Sequence, residues 1–197
     1  GGEAEMFALH VVEKAPVMVH TRDGAELLVA CVRVIDAKAR KKLVKSLKGM
    51  VQKIARNEHG HVFIMGLLTL VDDTVLLASS ILTELISENT PRAVKLTATG
   101  EPRPPDDDDI PAFAHVYAHR PILNLFAPLS SHYFTPKELY VPLSIPSSRS
   151  FKDPDVRRAE LLAAVVPPFA RWCGAAPEGL GIAAGTPFGQ GVAWGLG

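Results

Sequence analysis

The feature that most restricts this chain is a word order that recurs. "TRDGAELLVACVRVIDA" at residues 21–37 and "NEHGHVFIMGLLTLVDDT" at residues 57–74 both run from polar residues through a glycine into a short apolar stretch that closes on aspartate. Gly24 and Gly60 lie 36 positions apart. A period of about 20 to 50 residues marks stacked repeats, because one helical hairpin cannot bury its apolar face alone and must lean on its neighbours. "HVYAHRPILNLFAPLS" at residues 115–130 resumes the pattern, with Tyr117, Ala118, His119 and Arg120 in the slots of His59, Gly60, His61 and Val62. Ala118 follows Gly60 by 58 positions, one period plus an insertion. The expected fold is all-α, a solenoid of helical hairpins.

The insertion is "TGEPRPPDDDDIP", residues 99–111, and its prolines and aspartates predict an exposed, poorly ordered connection. Repeat-like units are expected around residues 10–36, 37–72, 73–128 with the insertion over 91–112, and 150–197, with an extended connector over 130–150. With 47% hydrophobic residues, the array has apolar surface enough for one continuous core over residues 1–197. No apolar run reaches the roughly 18 to 20 residues of a membrane span, and no signal-like start is present, so a soluble intracellular protein is expected. Cys31 and Cys173 lie far apart in apolar stretches and read as core thiols.

Residues 36–57 read as one helix, because Leu43, Leu47, Met50 and Ile54 recur at spacings of three and four. On another face Lys38, Lys41, Lys45, Lys48, Gln52 and Arg56 keep the same spacing, so positive charge forms a row. The formal net charge of zero hides this segregation, since no acid lies between Asp36 and Glu58. Asp72, Asp73 and Thr74 read as helix-capping residues, with a helix beginning near Thr74. Asp153 reads as the cap and Pro154 as the first residue of a later helix, which Pro167 and Pro168 should end or kink. "GTPFGQGVAWGLG" reads as a degenerate last unit.

Three stretches, "MVHTRDGAELLVACV", "ARKKLVKSLKGMVQKIARNEHGHVFIMGLLTLVDDTVLL" and "FKDPDVRRAELL", carry four motifs (an HTRDG start, a KxxKSLK basic helix, a VDDT turn and a KDPxVRRxELL helix) that follow one another in the order of a known family. Over most of residues 10–165 the chain resembles the C-terminal region of the nucleolar pumilio-like proteins, the Puf-A or penguin group with its CPL domain. The resemblance implies a right-handed α-solenoid of pumilio repeats, related to armadillo and HEAT arrays. It also implies binding of RNA, and of DNA in addition, with little sequence preference, in large-subunit ribosome biogenesis and rRNA processing. The implied partners are rRNA, the pre-ribosomal particle and ribosome assembly proteins, in the nucleus and nucleolus, with no membrane and no small-molecule substrate. Ala118, where the family has glycine, and Pro121, inside the first turn of a recognition-type helix, depart from the pattern.

Pumilio repeats that read sequence use two or three side chains per repeat. Here those slots hold Ala25, Glu26 and Val29, then His61, Val62 and Met65, then His119, Arg120 and Leu123. The usual amide or serine readers are missing, so binding should rest on phosphate contacts with steep salt dependence. The candidate nucleic-acid-binding residues are Lys38, Lys41, Lys42, Lys45, Lys48, Arg56, His61, His119, Arg120, Arg157 and Arg158, with His119 and Arg120 able to stack on a base.

Other chemistry finds little support. His59 and His61 lack a third ligand at metal spacing, and His115 and His119 lack an accompanying glutamate and read as surface or turn residues. Asp106 to Asp109 lack the alternation and glycine of a calcium loop. No phosphate loop, nucleophile elbow or catalytic carboxylate pair is present, so neither an enzyme nor a cofactor is expected. The alternative reading is a protein-interaction solenoid of the armadillo or HEAT kind.

Overall fold

The computed structural model describes residues 2–87, 98, 99, 101, 106, 107, 110–128, 130–136, 138 and 149–175. Among them every regular element is helical, and the helices form two rows. One row places α1 (Gly2–Val12), α3 (Arg22–Val34), α6 (Gly60–Leu70) and α9 (His119–Phe126) side by side. The short α2 (Ala15–Met18) leads into α3. The second row holds α4 (Ala37–Ser46), α5 (Val51–Arg56), the pair α7 (Thr74–Leu77) and α8 (Thr83–Ile86) with a π-helical turn (Ala78–Leu82) between them, and α10 (Pro154–Ala175).

The rows meet over one core. Leu28, Val29 and Val32 of α3 are buried with Phe63, Ile64, Met65 and Leu67 of α6, and Leu43, Val44 and Leu47 of α4 join them. Each such side chain contributes about 1.5–3 kcal/mol on leaving water. α3 and α6 cross closely, since a Cβ added to Gly66 would stand 2.8 Å from Cγ2 of Val29.

Two expectations need correction here. The single helix over 36–57 is broken into α4 and α5, because Gly49 adopts φ 82° and Glu84 reaches across from α8. Its carboxylate accepts from the backbone N–H groups of Gly49 and Val51, each at 2.7 Å, which caps the start of α5. Pro167 and Pro168 do not end α10, which runs through both to Ala175. The cap at Asp153 is present, with Oδ1 accepting from the N–H groups of Asp155 at 2.9 Å and Val156 at 3.1 Å. Helix α7 begins at Thr74, where Asp73 Oδ1 accepts from Leu76 N–H at 2.9 Å. Cys31 is buried and Cys173 half-buried, and both are free thiols. The acidic insertion lies mostly outside the described residues, as does "GTPFGQGVAWGLG".

Candidate nucleic-acid interface

The first row repeats at atomic detail. Before α3, Thr21 Oγ1 accepts from Gly24 N–H at 3.2 Å; before α6, Asn57 Oδ1 accepts from Gly60 N–H at 2.9 Å; before α9, His115 Nδ1 accepts from Ala118 N–H at 3.1 Å. Each acceptor stands three residues before the small residue it serves; Thr21 is the N-cap of α3, and Asn57 and His115 brace the turns that lead into α6 and α9. The glycines are needed for close approach: a Cβ on Gly24 would lie 2.0 Å from Met18 O, and one on Gly60 would lie 2.3 Å from Ile54 O. Ala118 fits because turns over 112–118, rather than a helix, lead into α9. The next position also repeats, with His61 Nδ1 3.2 Å from Asn57 O and His119 Nδ1 2.7 Å from His115 O.

These helix starts open onto a cavity of about 350 Å³ whose wall includes Glu26, Glu58, His61, Tyr117, Arg120 and Glu138. The His61 and Tyr117 rings stack with centroids 5.4 Å apart. Glu138, 6% exposed, is the centre of the wall. Its carboxylate receives His61 Nε2 at 3.0 Å, Arg120 through Nε and through a second nitrogen at 2.7 Å, and Thr135 through N–H at 2.8 Å and hydroxyl at 2.7 Å. Burial pushes this carboxyl up, but the bonds from His61, Arg120 and Thr135 outweigh it and hold it well below the usual range. Of the predicted reading slots, Ala25, Glu26, His61, Val62 and Arg120 line this cavity, with His61 and Arg120 bonded to Glu138, whereas Val29, Met65, His119 and Leu123 are buried away from it.

The predicted cations divide by burial. Lys38, Lys41, Lys42, Lys45 and Lys48 are exposed on the outer side of α4 and its following turn. Lys42 pairs with Glu13 at 3.1 Å, and the other four have no carboxylate within ion-pair distance among the described residues. The remaining candidates are not presented as surface cations. Arg56 is buried and donates to the carbonyls of Asp107 and Ile110, which pins the end of the acidic insertion. His61 and Arg120 are held by Glu138, and Arg120 lies over Phe134, 5.4 Å from the ring centroid. His119 is 2% exposed, and burial takes it down to about 4. Arg157 is buried against Asp72 at 2.6 Å and Thr69 O at 2.6 Å, and the half-buried Arg158 lies 3.5 Å from Asp155. The basic row is thus confined to α4 and the turn after it, and Arg56, beyond the break at Gly49, faces inward.

His115 is corrected in the same way, being buried with Nε2 2.8 Å from Asp107 Oδ1. Its position also gives the predicted turn reading a cause, since its other nitrogen accepts from the N–H groups of Tyr117 and Ala118 in the turn before α9. Two partners escaped the sequence reading. Glu138 had a local signal, because Thr135 and Glu138 have the T-x-x-E spacing of a capping box. Asp72 had none that told it from Asp73: it receives Ser150 Oγ at 2.8 Å and Phe151 N–H at 2.7 Å besides Arg157, so it fastens the entry to α10 instead of capping α7.

Comparison with known proteins follows the same lines. The CPL (NUC119) domain matches residues 114–180. Pumilio homology domain family member 6 of Saccharomyces cerevisiae is 28% identical over 84% of this chain and 23% of its own length. Pumilio homolog 24 of Arabidopsis thaliana is 33% identical over 66% of this chain and 17% of its own length, and protein penguin of Drosophila melanogaster is 42% identical over 30% and 8%. The chain therefore spans less than a quarter of the length of these relatives. The crystal structure of human Puf-A in complex with DNA superimposes with a TM-score of 0.68 at 24% identity, over 82% of this chain and 28% of that one. The fold is that of pumilio-like helical repeats.

Proposed function

We propose that this chain, a Puf-A/penguin-like CPL protein, is a non-enzymatic RNA-binding scaffold that grips nucleic-acid backbone through α4 and acts in large-subunit ribosome assembly in the nucleolus. The observation that carries the reading is the exposed edge of Lys38, Lys41 and Lys45 on the ten residues of α4 and Lys48 in the turn after it, four cations with no carboxylate within ion-pair distance among the described residues. Such an edge exchanges condensed counterions for lysines, which favours any phosphate strand and reads no sequence. A relative of the same fold, human Puf-A, has been crystallised with DNA. Rewriting Lys41, Lys45 and Lys48 as glutamate leaves the core untouched and should release a structured RNA at low salt. Undiminished retention of that RNA would sink the reading.

A second reading has its own observation. A cavity of about 1020 Å³ runs between α7–α8 and α10, with Val75, Leu82, Ile86, Pro167 and Trp172 in its wall. An apolar groove of this kind suits a protein partner. Val75→Asp would weaken a partner held there and leave RNA retention unchanged.

A further inference from the structure

We propose that His61, Arg120 and Thr135 form an anion site on the first row, that Glu138 fills it in this structure, and that a backbone phosphate of a bound strand competes with Glu138 for it. This inference rests on the nucleic-acid reading above and gives that reading a second, internally guarded contact.

The argument starts from the number of donors. A capping box needs only the Thr135 N–H to reach the Glu138 carboxylate. Here two further groups converge on it, His61 from α6 and Arg120 from α9, so that five donor contacts meet two oxygens. The guanidinium fork matches carboxylate and phosphate alike. A site assembled from three separate segments around one carboxylate is therefore as complementary to phosphate as to its present occupant.

Access is the second point. The site forms part of the wall of the cavity of about 350 Å³, and that volume exceeds the needs of a phosphate group. The Arg120 side chain keeps 18% of its surface exposed. Two other carboxylates face the same space. Glu26 is engaged by Arg22 at 3.0 Å, whereas Glu58 has no partner among the described residues and repels an incoming anion. Glu138 and Glu58 together keep the site closed to phosphate, the first by occupancy and the second by charge.

The test uses binding of a single-stranded oligothymidine and of inorganic phosphate. Glu138→Gln keeps the shape and removes the charge. It should raise oligothymidine affinity about tenfold, the size of one charge-assisted hydrogen bond, with a salt slope steeper by about 0.7. Arg120→Ala should abolish that gain in the Glu138→Gln background. Glu58→Gln, an exposed change that leaves the fold alone, should also raise the affinity, so the idea stays testable if Glu138→Gln fails to fold. No gain from either variant, or a gain that Arg120→Ala does not remove, overturns the proposal. Heat stabilisation of Glu138→Gln by inorganic phosphate without any oligothymidine gain would assign the site to free phosphate and overturn the strand. Failure of the α4 reading would show instead as wild-type binding indifferent to the lysine reversals.

Discussion

Asn57 Oδ1 takes the backbone N–H of Gly60 at 2.9 Å, and the same relation joins Thr21 to Gly24 one repeat earlier. The repeat is therefore a repeat of helix starts. Asn57→Ala and Thr21→Ala should each lower unfolding free energy by about 1 kcal/mol, as loss of a side-chain hydrogen bond at a helix start does. Gly60→Ala should cost more, about 1–3 kcal/mol, because its Cβ meets the Ile54 carbonyl at 2.3 Å. Ala118→Gly should cost no more than about 1 kcal/mol. Urea denaturation of the three classes of variant checks the order, and equal effects of Gly60→Ala and Ala118→Gly would contradict it.

Arg40 is the fastener between repeats. It is 2% exposed and donates to Val32 O at 2.9 Å, Leu70 O at 2.8 Å and Arg149 O at 3.0 Å, so one guanidinium serves the ends of α3 and α6 and the segment leading to α10. Arg40→Met leaves buried carbonyls without donors and should destabilise by about 3 kcal/mol or more. Arg40→Lys should recover little of it, since an ammonium cannot reproduce the fork. Thermal melting of the two variants side by side would show a rescue by lysine if the account were wrong.

Stability should fall with acid over two pH ranges. His119 has its value lowered by burial from 6.5 to about 4, so the unfolded chain takes the proton first, and stability falls as pH drops from about 6.5 to 4. Asp72 is held near 2 rather than 3.8: burial raises it, and the stronger opposing effect comes from hydrogen bonds of Phe151, Arg157 and Ser150. Its contribution, on the order of 1–2 kcal/mol, is complete above about pH 4 and is lost as pH falls toward 2. His119→Gln should lessen the first fall, to which the buried His115 also contributes, and Asp72→Asn should lessen the second, to which Glu138 also contributes. Unfolding free energies measured at intervals from pH 7 to pH 2.5 give both slopes.

Much of this architecture is legible in the chain because its signals are local. Asp73 and Asp153 are capping types placed before apolar periodicity, and the offset of 58 from Gly60 to Ala118 survives in the paired positions of His61 and His119. The break at Gly49 is not legible. A lone glycine inside a three-and-four apolar pattern reads as tolerated, and what decides it is Glu84, 35 residues away. The site divides on the same principle. Lysines on α4 are exposed because their helix buries the opposite face, which periodicity predicts. Arg56, His61, Arg120 and Arg157 look alike in sequence, yet each meets a carbonyl or carboxylate brought from a distant segment. Residue type alone cannot tell a cation that fastens from one that binds.

The most direct measurement is the salt dependence of structured-RNA binding by the wild-type chain and by the Lys41→Glu, Lys45→Glu, Lys48→Glu variant, with melting curves of both. Three lost phosphate contacts should reduce the slope of log K against log salt by about 2 to 3, with affinity down and the melting temperature kept. An unchanged slope and affinity in a folded variant would contradict the claim that α4 is the edge that holds the phosphate strand.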